Sequence, residues 1–161
     1  MEKAYFAGGC FWCISPIFRQ MEGVRSVVSG YSGGDEIDPT YEDVKNQRTG
    51  HRETICIEFD PEKVPFRDLL QMFLYNVDPF DEGGQFIDRG FSLAVYHLND
   101  EQKAVTEEML ENLAQEAGRT PFIAVESFKN FFIAEEYHQN YDLKNPDAFH
   151  RELVESGRIK E

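Results

Sequence analysis

Ala4-Tyr5-Phe6-Ala7-Gly8-Gly9-Cys10-Phe11-Trp12-Cys13 is the stretch whose reading decides the fold. Its first four residues are an apolar run that reads as a strand. After the cysteines, Ile14, Ile17, Phe18 and Met21 recur at helical spacing. The order is therefore strand, glycine turn, cysteine, helix. Paired glycines let the backbone turn sharply and approach a ligand closely. A cysteine at a helix start faces unpaired N–H groups and the positive end of the helix dipole. Both favour the thiolate, which is the nucleophilic form. Cys13 follows three residues later on the same helical face, so one sulfur can attack and the other resolve. Phe11 and Trp12 between them supply an apolar wall. Cysteine alone is more often a small core residue; the glycines before it and the helix after it favour chemistry.

Working outward, residues 3–8 form a first strand and 10–21 a first helix, with a local irregularity expected at Pro16. Val24 to Tyr31 is a second strand, ended by Gly30-Tyr31-Ser32-Gly33-Gly34. A short helix follows Pro39-Thr40-Tyr41. Thr54-Ile55-Cys56-Ile57-Glu58-Phe59 is a third strand, opened by Gly50-His51-Arg52-Glu53 and closed by Asp60-Pro61. Alternation puts Glu53, Ile55, Ile57 and Phe59 on one side and Cys56 on the other. Phe66, Leu69, Leu70, Phe73 and Leu74 mark a helix over 65–76. A long loop spans 77–90, and such loops are often functional. Phe91 to Tyr96 is a fourth strand. A helix with a stripe of Val105, Met109, Leu110 and Leu113 starts at Asn99 or Asp100 and stops at Gly118. Phe122 to Val125 is a fifth strand. Helical segments over 134–141 and 146–156 close the chain. Strands and helices mix with short connections, so the expected class is α+β: a mixed β-sheet with flanking helices, a ferredoxin-like core with extensions.

At 161 residues the chain reads as a single domain over 1–161. Sixteen basic against 30 acidic residues give a net charge of −14, which argues against nucleic acid and anionic membrane surfaces as partners. There is no apolar run of the roughly 18 residues a membrane span needs. Met1-Glu2-Lys3 leads straight into a strand, so no signal peptide is expected. Three cysteines, two of them in Cys-x-x-Cys, fit a catalytic dithiol in a reducing cytoplasm better than a secreted scaffold. The 14 Phe and 7 Tyr suggest a core, or a pocket, with aromatic walls.

Cys10 is the nucleophile candidate. A carboxylic acid that assists it must lie near an apolar site, where its pKa rises and it can carry a proton. Glu53 and Asp88 are the candidates, against a background in which most acids are solvated surface charges. Cys56, in an apolar strand, reads as structural. Two rival readings carry less. Thioredoxin-like oxidoreductases place Trp before the first cysteine, whereas Trp12 lies between the two. For zinc, Cys10-x-x-Cys13 is half a site, but His138 and His150 are farther apart than the usual three to five residues.

Gly8-Gly9-Cys10-Phe11-Trp12 resembles the signature of the peptide methionine sulfoxide reductase A family. The resemblance continues through Gly30-Tyr31-Ser32-Gly33-Gly34, Asp38-Pro39-Thr40-Tyr41, Thr49-Gly50-His51-Arg52-Glu53, Gly83 to Gly90, Ala134 to Tyr141 and Asn145-Pro146. It spans roughly residues 4 to 158, in order. It implies reduction of the (S) epimer of methionine sulfoxide, free or in proteins, as repair after oxidative damage. By position, Cys10 matches the catalytic cysteine and Glu53 the acid that protonates the sulfoxide oxygen. Phe11 and Trp12 match the pocket for the S-methyl group. Tyr41 matches one of two tyrosines that bind the oxygen, Asp88 an aspartate of the substrate loop, and Tyr141 a residue of the C-terminal motif near the site. The implied course needs no cofactor: a Cys10 sulfenic acid, a disulfide with Cys13 (Cys56 being the alternative), and thioredoxin or another dithiol as reductant. A monomer is expected. The chain departs from the family pattern in two places. Gly90 leads directly into Phe91-Ser92-Leu93-Ala94 where the family usually has Gln-Tyr-Arg-Ser, so the second oxygen-binding tyrosine is missing. Cys13 stands where many members have glycine.

Overall fold

A computed structural model describes residues 1–8, 11–45, 50–77, 79–80 and 93–155, without the side chains of Trp12, Cys13, Lys45, Phe149 and 152–155. Its elements run β1 (Glu2–Gly8), α1 (Phe11–Arg19), β2 (Val24–Ser32), α2 (Tyr41–Lys45), β3 (Arg52–Phe59), α3 (Phe66–Asn76), β4 (Leu93–His97), α4 (Asp100–Ala117), β5 (Ile123–Ser127), β6 (Phe132–Ile133), a 3-10 turn (Glu136–His138), α5 (Tyr141–Lys144) and α6 (Pro146–Glu155).

The strands form one sheet in the order β5-β4-β1-β3-β2-β6. Its inner four, β4-β1-β3-β2, are antiparallel neighbours, with α1 and α3 as the two crossovers. That is the ferredoxin-like arrangement, in which β3 lies between β1 and β2. β5 extends it in parallel to β4 through α4, which makes the sheet mixed, and β6 adds antiparallel to β2 at the other edge. The fold class is therefore α+β, a mixed six-stranded sheet with flanking helices.

One face of the sheet carries the main core. Phe6, Ile55, Ile57, Phe59 and Val95 pack there with Phe11, Ile14 and Phe18 of α1 and Leu69, Leu70 and Phe73 of α3. Each large side chain fully buried in this way contributes about 1.5–3 kcal/mol. Gly8 makes the close strand-to-helix passage possible: a Cβ there would come within 2.8 Å of Ile14 and 2.9 Å of Phe73. The opposite face is thinner, with Tyr5, Ala7, Cys56, Ala94 and Tyr96 against Phe128 and Phe131.

Local expectations and outcomes differ in instructive ways. Asn99 caps α4 by accepting from the Gln102 N–H at 2.8 Å, and Gly118 closes it at φ 72°. The buried stripe of α4 is Gln102, Thr106 and Met109, a mixed polar face. Burial of Gln102 is tolerable because its amide donates to the Lys3 carbonyl and accepts from the Leu98 N–H. α1 runs unbroken through Pro16, and Ser15 donates its hydroxyl to the Phe11 carbonyl. The expected helix over 134–141 is instead the short 3-10 turn and then α5. Asn140 between them adopts a left-handed φ of 53°. Gln139 turns its amide to β2, accepting from the Ser29 N–H and donating to its carbonyl, both at 2.9 Å.

Candidate active site

β3 enters the site with Glu53, which shares its side of the strand with Ile55 and Ile57. It is 1% exposed. Its Oε1 accepts the backbone N–H of Phe11, the first residue of α1, at 3.4 Å. A buried carboxyl group thus meets the N-terminus of the helix that follows Cys10. Cys10 itself, Asp88 and Phe91 lie outside the described residues. Trp12 and Cys13 lie within α1.

Directly across from Glu53 in the ladder stands Tyr31 of β2, fully buried, with its ring 6.0 Å from that of Phe11. The phenol donates to Glu135 Oε1 at 2.8 Å. Burial first, and then the Glu135 carboxylate, push the Tyr31 hydroxyl well above its ordinary pKa, so it stays a donor. Glu135 Oε2 accepts the backbone N–H of Tyr41 at 3.1 Å. Burial alone would raise the Glu135 carboxyl. Hydrogen bonds from its own N–H, from Tyr41 and from Tyr31 outweigh that and hold it below the usual carboxylate range.

The Tyr41 ring packs 4.4 Å from the His138 imidazole, which lies 5.1 Å from Phe11 and 4.0 Å from Tyr137. His138 is 1% exposed, and burial pushes its pKa down to about 4, with the nearby Glu135 pulling the other way. A neutral imidazole therefore completes an aromatic wall of Phe11, Tyr41 and His138. Tyr141 begins α5, half-buried between Asn140 and Asp142, which Arg19 at the far end of α1 holds by a hydrogen bond and an ion pair. Beside the wall, His51 anchors the glycine loop: Nδ1 accepts the Gly34 N–H at 3.2 Å and Nε2 donates to the Glu36 carbonyl at 2.8 Å. Gly33, at φ 94°, lies where a Cβ would strike the Tyr96 hydroxyl.

The structure brings together Phe11, Glu53 and, through His138, Tyr41. It sets Cys56 on the other face of the sheet, beside Tyr5, where burial pushes the thiol up. Among the described residues, no three His, Cys, Asp or Glu side chains group as a metal site, and no helix is long and apolar enough to cross a membrane. Sequence reasoning passed over Glu135 and Tyr31, and weighed His138 only as a zinc ligand. All three stand in motifs already singled out, Gly30 to Gly34 and Ala134 to Tyr141. The three-residue steps from Glu135 to His138 to Tyr141 were the available sign.

This geometry has known counterparts. The family model described as peptide methionine sulfoxide reductase matches residues 2–160. A peptide methionine sulfoxide reductase MsrA of Bacillus velezensis is 45% identical, over 98% of this chain and 91% of its own. Among solved structures, Mxr1 of Saccharomyces cerevisiae in reduced form superposes with a TM-score of 0.83 at 25% identity, over 91% of this chain and 86% of that one. The same yeast protein in complex with Trx2 matches in fold, with a TM-score of 0.62 at 21% identity, over 87% of this chain and 84% of that one.

Proposed function

Because the chain belongs to the peptide methionine sulfoxide reductase family and so is an oxidoreductase acting on methionine sulfoxide, we propose that Cys10 is its nucleophile, Glu53 its acid and the (S) sulfoxide its substrate. The observation that carries this reading is the Phe11 N–H on Glu53 Oε1 at 3.4 Å. It ties a buried carboxyl to the residue next to Cys10. A sulfoxide sulfur is a poor electrophile until its oxygen is protonated, so a thiolate needs an acid at that place.

The Cys10 thiolate attacks the sulfoxide sulfur and a sulfur–sulfur bond forms. Glu53 delivers its proton to the oxygen, and Tyr41 donates a hydrogen bond to it. The new sulfur–sulfur bond and the substrate's sulfur–oxygen bond then break as the protonated oxygen passes to the Cys10 sulfur, methionine leaves, and Cys10 is left as the sulfenic acid: the substrate sulfur gains two electrons and the cysteine sulfur loses two. The Cys13 thiol then condenses with the sulfenic acid, releasing water and forming a disulfide. Thioredoxin, or another dithiol, returns it to two thiols by exchange. That a yeast protein of this fold has been seen with Trx2 supports thioredoxin as the reductant. Phe11 and Trp12 receive the S-methyl group beside the His138 wall, and Asp88 and Tyr141 are assigned to substrate binding by their match to the family's motifs. The chain works without a cofactor as one domain over 1–161, a cytoplasmic monomer in protein repair. The net charge of −14 supports the exclusion of nucleic acid and anionic membranes as partners.

Assay of both sulfoxide epimers of N-acetylmethionine tests the reading. Wild type should reduce the (S) epimer, and Cys10→Ser should reduce neither. Cys13→Ser should release about one methionine per enzyme and then stall with thioredoxin. Preference for the (R) epimer, or turnover by Cys10→Ser, would contradict it.

A further inference from the structure

Glu135 stands where three segments meet. Its Oε1 accepts the phenol of Tyr31 from β2, and its Oε2 accepts the backbone N–H of Tyr41 at the start of α2. The turn that Glu135 opens also delivers His138, whose imidazole packs on the Tyr41 ring at 4.4 Å. One short segment therefore grips Tyr41 at two points, by its backbone through Glu135 and by its ring through His138. The segment is itself fixed to β2 by Gln139, which bonds both backbone groups of Ser29.

We infer that Glu135 is a positioning residue for sulfoxide reduction, holding the Tyr41 phenol in place while it keeps the Tyr31 phenol turned away from the substrate. The inference rests on the reading that Tyr41 binds the sulfoxide oxygen. α2 is only five residues long; a Thr40–Asp43 capping box fixes its entry, with the Asp43 N–H donating to Thr40 Oγ1 at 3.2 Å and the Thr40 N–H to Asp43 Oδ2 at 3.3 Å, and restraint of Tyr41 itself comes from outside the helix. The Tyr41 N–H supplies that restraint by donating to the Glu135 carboxylate. Tyr31 lies directly opposite Glu53 and is the phenol nearest in the ladder to the acid. Its proton is directed to Glu135, which removes it as a competing donor. Small displacements of an oriented donor can cost a reaction as much as 10²-fold.

Two substitutions separate positioning from scaffolding. Glu135→Ala removes both contacts. Glu135→Gln keeps the Tyr41 anchor, because its carbonyl can accept from the Tyr41 N–H, but its amide donates to the Tyr31 oxygen and no longer takes the Tyr31 proton. In single-turnover reduction of the (S) sulfoxide, Glu135→Ala should lower the rate about tenfold, and Glu135→Gln should stay within about threefold of wild type. In a Tyr41→Phe background, Glu135→Ala should add less than about twofold, since no phenol remains to misplace. Tyr31→Phe leaves the Tyr41 anchor intact and should cost no more than about threefold, a measurement that stands even where Glu135→Ala fails to fold. The inference is overturned by a full Glu135→Ala loss on top of Tyr41→Phe. It is equally overturned by a silent Glu135→Ala beside a damaging Tyr41→Phe, or by Tyr31→Phe as damaging as Tyr41→Phe. A silent Tyr41→Phe is a separate outcome, which overturns the premise and the inference together.

Discussion

Arg52 and Glu53 are consecutive on β3, and both are buried ionisable groups, yet they serve opposite faces of the sheet. The Arg52 guanidinium donates to the Tyr96 hydroxyl at 2.9 Å and to Glu126 at 3.0 Å, and lies 5.9 Å from the Tyr96 ring centre. Tyr96 in turn donates its hydroxyl hydrogen bond to the Ser32 carbonyl. This is a charge neutralised and hydrogen-bonded within the scaffold. Glu53 faces the other way, toward the start of α1 and a wall of aromatic rings. Cys56 belongs to the Arg52 face, and the residue after Cys10 to the Glu53 face. The period of two along a strand thus divides one segment into a structural side and a reactive side. A titratable group aimed into an apolar wall is a candidate for chemistry; one enclosed by partners is a candidate for stability.

The division is sharpened by substituting on each side. Glu53→Gln should lower the reductive step by about 10²-fold or more, as loss of a general acid commonly does, and should leave thermal stability close to wild type. Stopped-flow release of methionine measures it, and wild-type rates in that variant would move the role to Asp88. Tyr41→Phe should lower kcat/KM for the (S) sulfoxide at least about tenfold, since a hydrogen bond to developing charge is worth about 1.5–3 kcal/mol. Steady-state comparison on both epimers checks it. On the structural side, Arg52→Leu should leave turnover near wild type and lower unfolding stability by about 1.5–3 kcal/mol, the scale of hydrogen bonds from a charged group. The deserted Glu126 carboxylate is already 38% exposed and will hydrate. Denaturant titration gives the stability. A large loss of turnover with intact folding would break the division.

Local chemistry was legible in the chain. The Asn99 cap, the Gly118 stop, the apolar stripe of α3 and the parity of β3 were all readable because their causes lie within a few residues. What escaped depended on distant partners. β6 has two residues, too few to show alternation, and exists because the edge of β2 accepts it. Gln102 stands outside the apolar stripe read from the sequence of α4 and is buried because the Lys3 carbonyl, 99 residues away, takes its amide. Glu135 lay in a motif the sequence singled out, but its contacts did not show, since its partners Tyr41 and Tyr31 lie 94 and 104 residues upstream. The order of the inner strands followed from a ferredoxin-like expectation, and the fifth strand was expected near where β5 stands; its parallel pairing with β4 and the existence of β6 were not.

The central claim is that oxidation is confined to the Glu53 face of the sheet. The most direct measurement gives Cys13→Ser one equivalent of (S) sulfoxide without reductant, traps sulfenic acid with a dione, and maps the label by mass spectrometry. The account predicts the label on Cys10, in step with the methionine released, and none on Cys56. Label on Cys56, or methionine released with Cys10 still a thiol, would contradict it.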